Sequence, residues 1–122
     1  MKASVKPFAI EQEYYFAEGC FITELSNSAE DPGVSIARAR LEPGKTTRWH
    51  RLHGIAERYV IVEGEGVVQV GSLPAKAVAT GDVVIIPAQE RQRISNTGSG
   101  DLVFLAICTP RFSAEAYEDL DG

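Results

Sequence analysis

Histidine is scarce in this chain. There are two, His50 and His53, so any chemistry that needs an imidazole is confined to one stretch. Cysteine is equally rare, and Cys20 and Cys108 lie 88 residues apart, which excludes a disulfide-dense scaffold and predicts free, buried thiols. The alternative for Cys20 is a place in the wall of a pocket. Basic residues are outnumbered 12 to 17, a net charge of −5, and a surface of that sign disfavours a nucleic-acid partner, which is held by neutralising its phosphates. No apolar run approaches the roughly 18 residues a membrane-spanning helix needs. The N-terminal MKASVKPFAIEQ carries no apolar leader core, so a cytoplasmic location is expected. Internal repeats and low-complexity linkers are missing as well.

What remains is ordinary in bulk and specific in pattern. With 122 residues, 44% apolar and 24% charged, the chain predicts one globular domain, 1–122. A chain of that length buries roughly two thirds of its unfolded surface. Short alternating segments separated by turns dominate. Two strands are read in 7–26, at 14–17 and 20–26, with Gly19 as the break, and SNSAEDPG (26–33) is a surface turn. From Val34 the chain alternates, placing Arg38 and Arg40 on one face, where they either bind an anion or pair with carboxylates such as Glu24 or Glu42.

Beyond Glu57, residues 58–63 and 66–71 read as a hairpin, 76–79 as a short strand, and VVII (83–86), apolar at every position, as a strand covered on both faces. Residues 91–95 form a return strand and 102–108 the most apolar one. Ser113 to Leu120 predicts one or two helical turns capped by Ser113, with Ala116, Tyr117 and Leu120 turned inward. Nine or ten short strands argue an antiparallel sandwich or barrel.

The stretch GKTTRWHRLHGIAERYVIVEG (44–64) holds both histidines, and Glu57 follows them. Its frame is Gly44, five residues, His50, then Glu57, six residues, Gly64. A second frame, Gly81, five residues, Pro87, then Gln92, three residues, Asn96, lies in GDVVIIPAQERQRISN. In this order the two frames resemble the paired motifs of the cupins, over about residues 34–108. The resemblance implies an all-β fold, an antiparallel jelly-roll β-barrel with N-terminal strands before it and a short helical segment in the tail, 109–122.

It also implies a metal site of His50, Glu57 and Gln92, with Mn, Fe, Ni or Zn as the divalent ion. The chain departs from the family pattern at Leu52, where a second histidine is expected, and at Gln92, which stands for another. His53 is the remaining candidate. On a regular strand it points away from His50, so it joins the set only through a bulge or a turn at Gly54. Tyr59 shares the face of Glu57 and is either a candidate acid or hydrogen-bond donor, or a tyrosine of the barrel wall. The family offers dioxygenases, isomerases and lyases acting on small polar metabolites, and a homodimer. A small-ligand-binding module that has lost its metal is the alternative.

Overall fold

The computed structural model describes residues 1–122. Eleven strands form two antiparallel sheets: β1 (Tyr14–Phe16), β2 (Cys20–Ser26), β3 (Ser35–Leu41), β4 (His50–Leu52), β5 (Ala56–Glu63), β6 (Glu65–Val70), β7 (Lys76–Ala79), β8 (Val83–Ile86), β9 (Gln92–Asn96), β10 (Leu102–Thr109) and β11 (Tyr117–Asp119). The first sheet runs β1-β2-β3-β10-β5-β8 and the second β11-β4-β9-β6-β7. Their inner faces share one apolar core, to which Leu41, Tyr59, Ile61 and Phe104 come from the first sheet and Val68, Val70 and Ile94 from the second. A smaller cluster of Leu52, Ile55, Cys108 and Ala116 closes one end.

Period-two alternation explains most of this. On β5, Glu57, Tyr59 and Ile61 are buried while their neighbours are not, and on β9 the same holds for Gln92, Ile94 and Asn96. β10 is the most apolar strand and lies between β3 and β5, so its backbone is paired on both sides. Arg38 and Arg40 take the pairing alternative, with carboxylates other than those expected from sequence. Arg40 donates to Glu13 at 3.0 and 2.7 Å and to Asp101 at 3.3 Å, and Arg38 reaches Glu13 at 3.5 Å. Those contacts tie the segment before β1 to the outer face of β3 and hold the Glu13 carboxyl below its usual range.

One expectation fails and a second holds in part. The all-apolar β8 is not covered on both faces: it is an edge strand with β5 as its only neighbour, Val84 and Ile86 inward, and Val83 and Ile85 55% and 62% exposed. An unbroken apolar run hides which face is wet. The tail holds the short helical segment expected, one turn long, but without the expected cap. A 3-10 turn at Ala114–Ala116, with no capping bond from the Ser113 side chain, leads into β11, which pairs with β4 through Tyr117↔Leu52 and Asp119↔His50. Ala116 is buried as expected, but Leu120 is exposed. Long-range pairing outweighs weak local helix preference here.

Candidate functional site

Four strands and one turn bring a polar group into the otherwise apolar interior. β4 and β9 pair with His50 directly opposite Gln92. β5 and β10 pair with Glu57 opposite Cys108. Tyr59 lies two residues along from Glu57 on the same buried face. The turn between β1 and β2 adds Glu18, which no motif announced. Its carbonyl accepts the Arg48 N–H at 2.8 Å, so the turn is fastened to the approach of β4, and Gly19, at φ +109°, supplies the left-handed residue that the reversal requires.

The bonding is nearly closed. Tyr59 donates its hydroxyl to the Gln92 carbonyl oxygen, and the Gln92 amide donates to Glu57 Oε1 at 2.8 Å. The Cys108 thiol faces Glu57 Oε2 at 3.8 Å, and the Cys20 thiol faces Glu18 Oε2 at 3.5 Å. His50 Nδ1 lies 2.7 Å from the Arg48 carbonyl, which can only accept, so the ring proton sits on Nδ1 and leaves the Nε2 lone pair 3.2 Å from Glu18 Oε1. Two acceptors face each other there, and a proton or a cation has to lie between them. Tyr117 stacks on the His50 ring at 5.2 Å and fixes its plane.

Burial raises the Glu57 carboxyl to about 7, with the Glu18 charge as the next cause, against the opposing amide of Gln92. Burial likewise pushes the Tyr59 hydroxyl and both thiols upward, so they stay protonated. The linkage has a definite sign. A carboxyl raised from 4.5 to about 7 contributes stability that is fully present below pH 4.5 and is lost as pH rises through about 7. In metal-free protein the loss should approach about 3 kcal/mol by pH 8, at 1.36 kcal/mol per unit, and Glu57→Gln should abolish it. Urea denaturation at half-unit pH steps measures both.

Glu18, Glu57, Tyr59 and Cys108 face a cavity of roughly 60 Å³, walled mainly by apolar side chains including Phe16 and Phe104. Glu24 also lines it and is exposed to solvent. Gln92 and His50 stand behind the first row. Cys20 is buried in the core rather than in the cavity wall.

The structure therefore gathers His50, Glu57, Gln92 and Tyr59, as read from sequence, adds Glu18, and leaves out His53. β4 ends without a bulge and His53 falls in the turn with Gly54, its side chain 46% exposed, bonded to Glu118 at 2.7 Å and Gln89 at 2.8 Å. Leu52, at the family's second histidine position, is 3% exposed and packs in the smaller apolar cluster. As a metal cage the set implied by the resemblance does not fit: Leu52 is no ligand, His53 is outside, and the carbonyl oxygen of Gln92 already accepts from Tyr59. No three His, Cys, Asp or Glu side chains converge as metal donors.

The architecture is an all-β one, a two-sheet antiparallel sandwich with a polar group and a cavity in its interior. The family model for the cupin domain matches residues 37–108, and this chain belongs to the cupin family. The Oxalate-binding protein of Thermotoga maritima is 41% identical over 74 residues, 59% of this chain and 59% of that protein's length. An uncharacterized protein of Methanocaldococcus jannaschii is 31% identical over 110 residues, 88% of this chain and 87% of the other. Among solved structures, the Streptomyces nucleoside dehydratase Pac13 superposes with a TM-score of 0.77 at 18% identity, covering 96% of this chain and 92% of its own, a likeness of fold.

Proposed function

We propose that this cupin is an enzyme of the lyase or isomerase type that moves protons on a small oxygenated metabolite held in the cavity. One observation carries the reading: two carboxylates in different settings face the same space, Glu57 held neutral up to about pH 7 by burial and Glu18 backed by the His50 imidazole at 3.2 Å. Paired carboxyls pushed apart by their surroundings are how one site supplies both an acid and a base.

In the elimination, Glu18 takes a proton from carbon and the C–H electron pair becomes the new C=C bond. The C–O bond breaks, and its oxygen leaves as water with the proton of Glu57. In the isomerisation the carbon proton is returned to the neighbouring atom instead. His50, its Nδ1 fixed on the Arg48 carbonyl, keeps one proton between Nε2 and Glu18 Oε1 throughout, and the proton from carbon goes to Glu18 Oε2. Gln92 and Tyr59 hold Glu57 in place.

The test is solvent isotope incorporation. Small metabolites that raise the melting temperature are incubated with the protein in D₂O and examined by NMR and mass spectrometry. Deuterium at carbon, or a product lighter by one water, is expected. Ligands that bind without either change would reduce the protein to a binding module.

A second reading keeps a metal-dependent enzyme. His50 has the outward N–H bond to a carbonyl that metal-ligating histidines show, and Glu18 Oε1 lies 3.2 Å from its free nitrogen, a spacing two donors of one ion can adopt. Those two donors, His50 and Glu18, would hold the ion, which would supply Lewis-acid chemistry and would bring a dicarboxylate such as oxalate within reach. Elemental analysis of untagged protein separates the two: stoichiometric Mn, Fe, Ni or Zn that vanishes in His50→Ala favours this reading.

The same proposal includes a homodimer in the cytoplasm. The β8 edge, bare and apolar at Val83 and Ile85 with Val62 exposed beside it on β5, is the kind of strand that pairs with a second copy. Light scattering should give twice the chain mass. Ile85→Lys should give a monomer with a native circular dichroism spectrum, because this side chain touches no core.

A further inference from the structure

The cavity carries charge of one sign. Three carboxyl groups line it, the charged Glu18 and Glu24 and the Glu57 acid, and no lysine, arginine or histidine does. Arg58, next to Glu57 in sequence, donates to Thr109, Arg38 and Arg40 bond Glu13 on the outer face of β3, and Arg48 bonds Asp119. An anionic ligand would meet the like charge of Glu18 and Glu24 with no cation to offset it. The walls between the carboxylates are aromatic, with Tyr14, Phe16, Phe104 and Phe112 around the space. Ring faces attract a positive charge and carboxylates in a partly buried cleft do so more strongly. A hard divalent ion is served less well, because it needs several oxygens converging on one point and no three acidic side chains here do so.

We infer that the substrate class of this site is a small organic cation, an amine with a short apolar body whose ammonium group sits between the Glu18 and Glu24 carboxylates, beside the Glu57 carboxyl oxygens. This rests on the cavity being the site assigned above and specifies what it takes. The volume of roughly 60 Å³, with room for about five waters, limits the enclosed part to a few heavy atoms, the remainder projecting past Glu24. It also separates this chain from its relative named for oxalate, since a dianion in this cavity would need a cation that none of the lining side chains supplies.

The test compares three probes of one shape, n-butylamine, 1-butanol and butyrate, by titration calorimetry and by chemical-shift changes at Tyr59 and Phe104. The amine should bind at least about ten-fold more tightly than the alcohol, a difference of one opposed charge, and butyrate more weakly than either. Glu24→Gln, at an exposed position that does not endanger folding, should narrow the gap between amine and alcohol several-fold, and Glu18→Gln further. Butyrate or butanol matching the amine would overturn the inference. So would an amine preference unchanged in both variants, or Mn²⁺, Ni²⁺ or Zn²⁺ saturating the site and excluding butylamine. Deuterium incorporation is a separate readout, so loss of the proton-transfer reading and loss of the cation preference are told apart.

Discussion

Phe104→Ala should cost about 4 kcal/mol, in the range of 3 to 5 found for buried phenylalanine truncations. Phe104 is 1% exposed at the centre of β10, between β3 and β5, and its ring lies 4.4 Å from that of Tyr59. The side chain belongs to the core that both sheets share, so its loss removes contacts from each. The void would merge with the cavity that Phe104 already lines, and water entering from the open side should keep the cost below the upper end of that range. Phe104→Leu, which keeps most of the volume, should cost about 1 to 1.5 kcal/mol. Urea titration checks both, with the midpoint moving and the slope unchanged; a slope change would signal a loosened native state.

Glu18→Gln and Glu57→Gln should each lower turnover, or the rate of deuterium incorporation, by roughly 10²- to 10⁴-fold, the usual worth of a positioned acid or base. The double variant should fall little further than the worse single one, because groups acting as a unit are not additive. For Glu57 the acid form is the active one, so wild-type rate should fall as pH rises through about 7. Stability separates this from mere damage. Glu57→Gln removes a carboxylate that burial disfavours, so at pH 8 the variant should be more stable than wild type by up to about 3 kcal/mol while being the less active protein. Loss of activity together with loss of stability at that pH would point to a structural role. Tyr59→Phe should have a smaller effect, since Tyr59 reaches Glu57 only through Gln92.

How much of this could be read in advance varied residue by residue. Glu57 and Tyr59 were legible because period-two alternation on β5 leaves a buried face no choice, and Gln92 because its frame with Pro87 and Asn96 set its register. His53 was legible only as a question, and the answer depended on whether β4 bulged. It does not, and Gly54, at φ +72°, turns the chain straight out. Glu18 had no local signal, because it acts from a turn and its partner His50 is 32 residues away. The exposed face of β8 was illegible for the opposite reason, four apolar residues in a row looking the same from either side.

Composition, alternation and the resemblance carried by the two glycine-framed motifs pointed, without coordinates, to an antiparallel all-β fold of the cupin kind, which the family match and the sheets bear out. Those features are local, and a strand's pleat and a turn's glycine are fixed by near neighbours along the chain. Which carboxyl groups share one space, that Glu18 joins them, that Leu52 and His53 do not, and that no basic side chain lines the cavity were decided by strand pairing and by the fastening of the β1–β2 turn to β4. Burial and charge at a point in the interior are sums over segments distant in sequence, and they have no value until the sheets are packed.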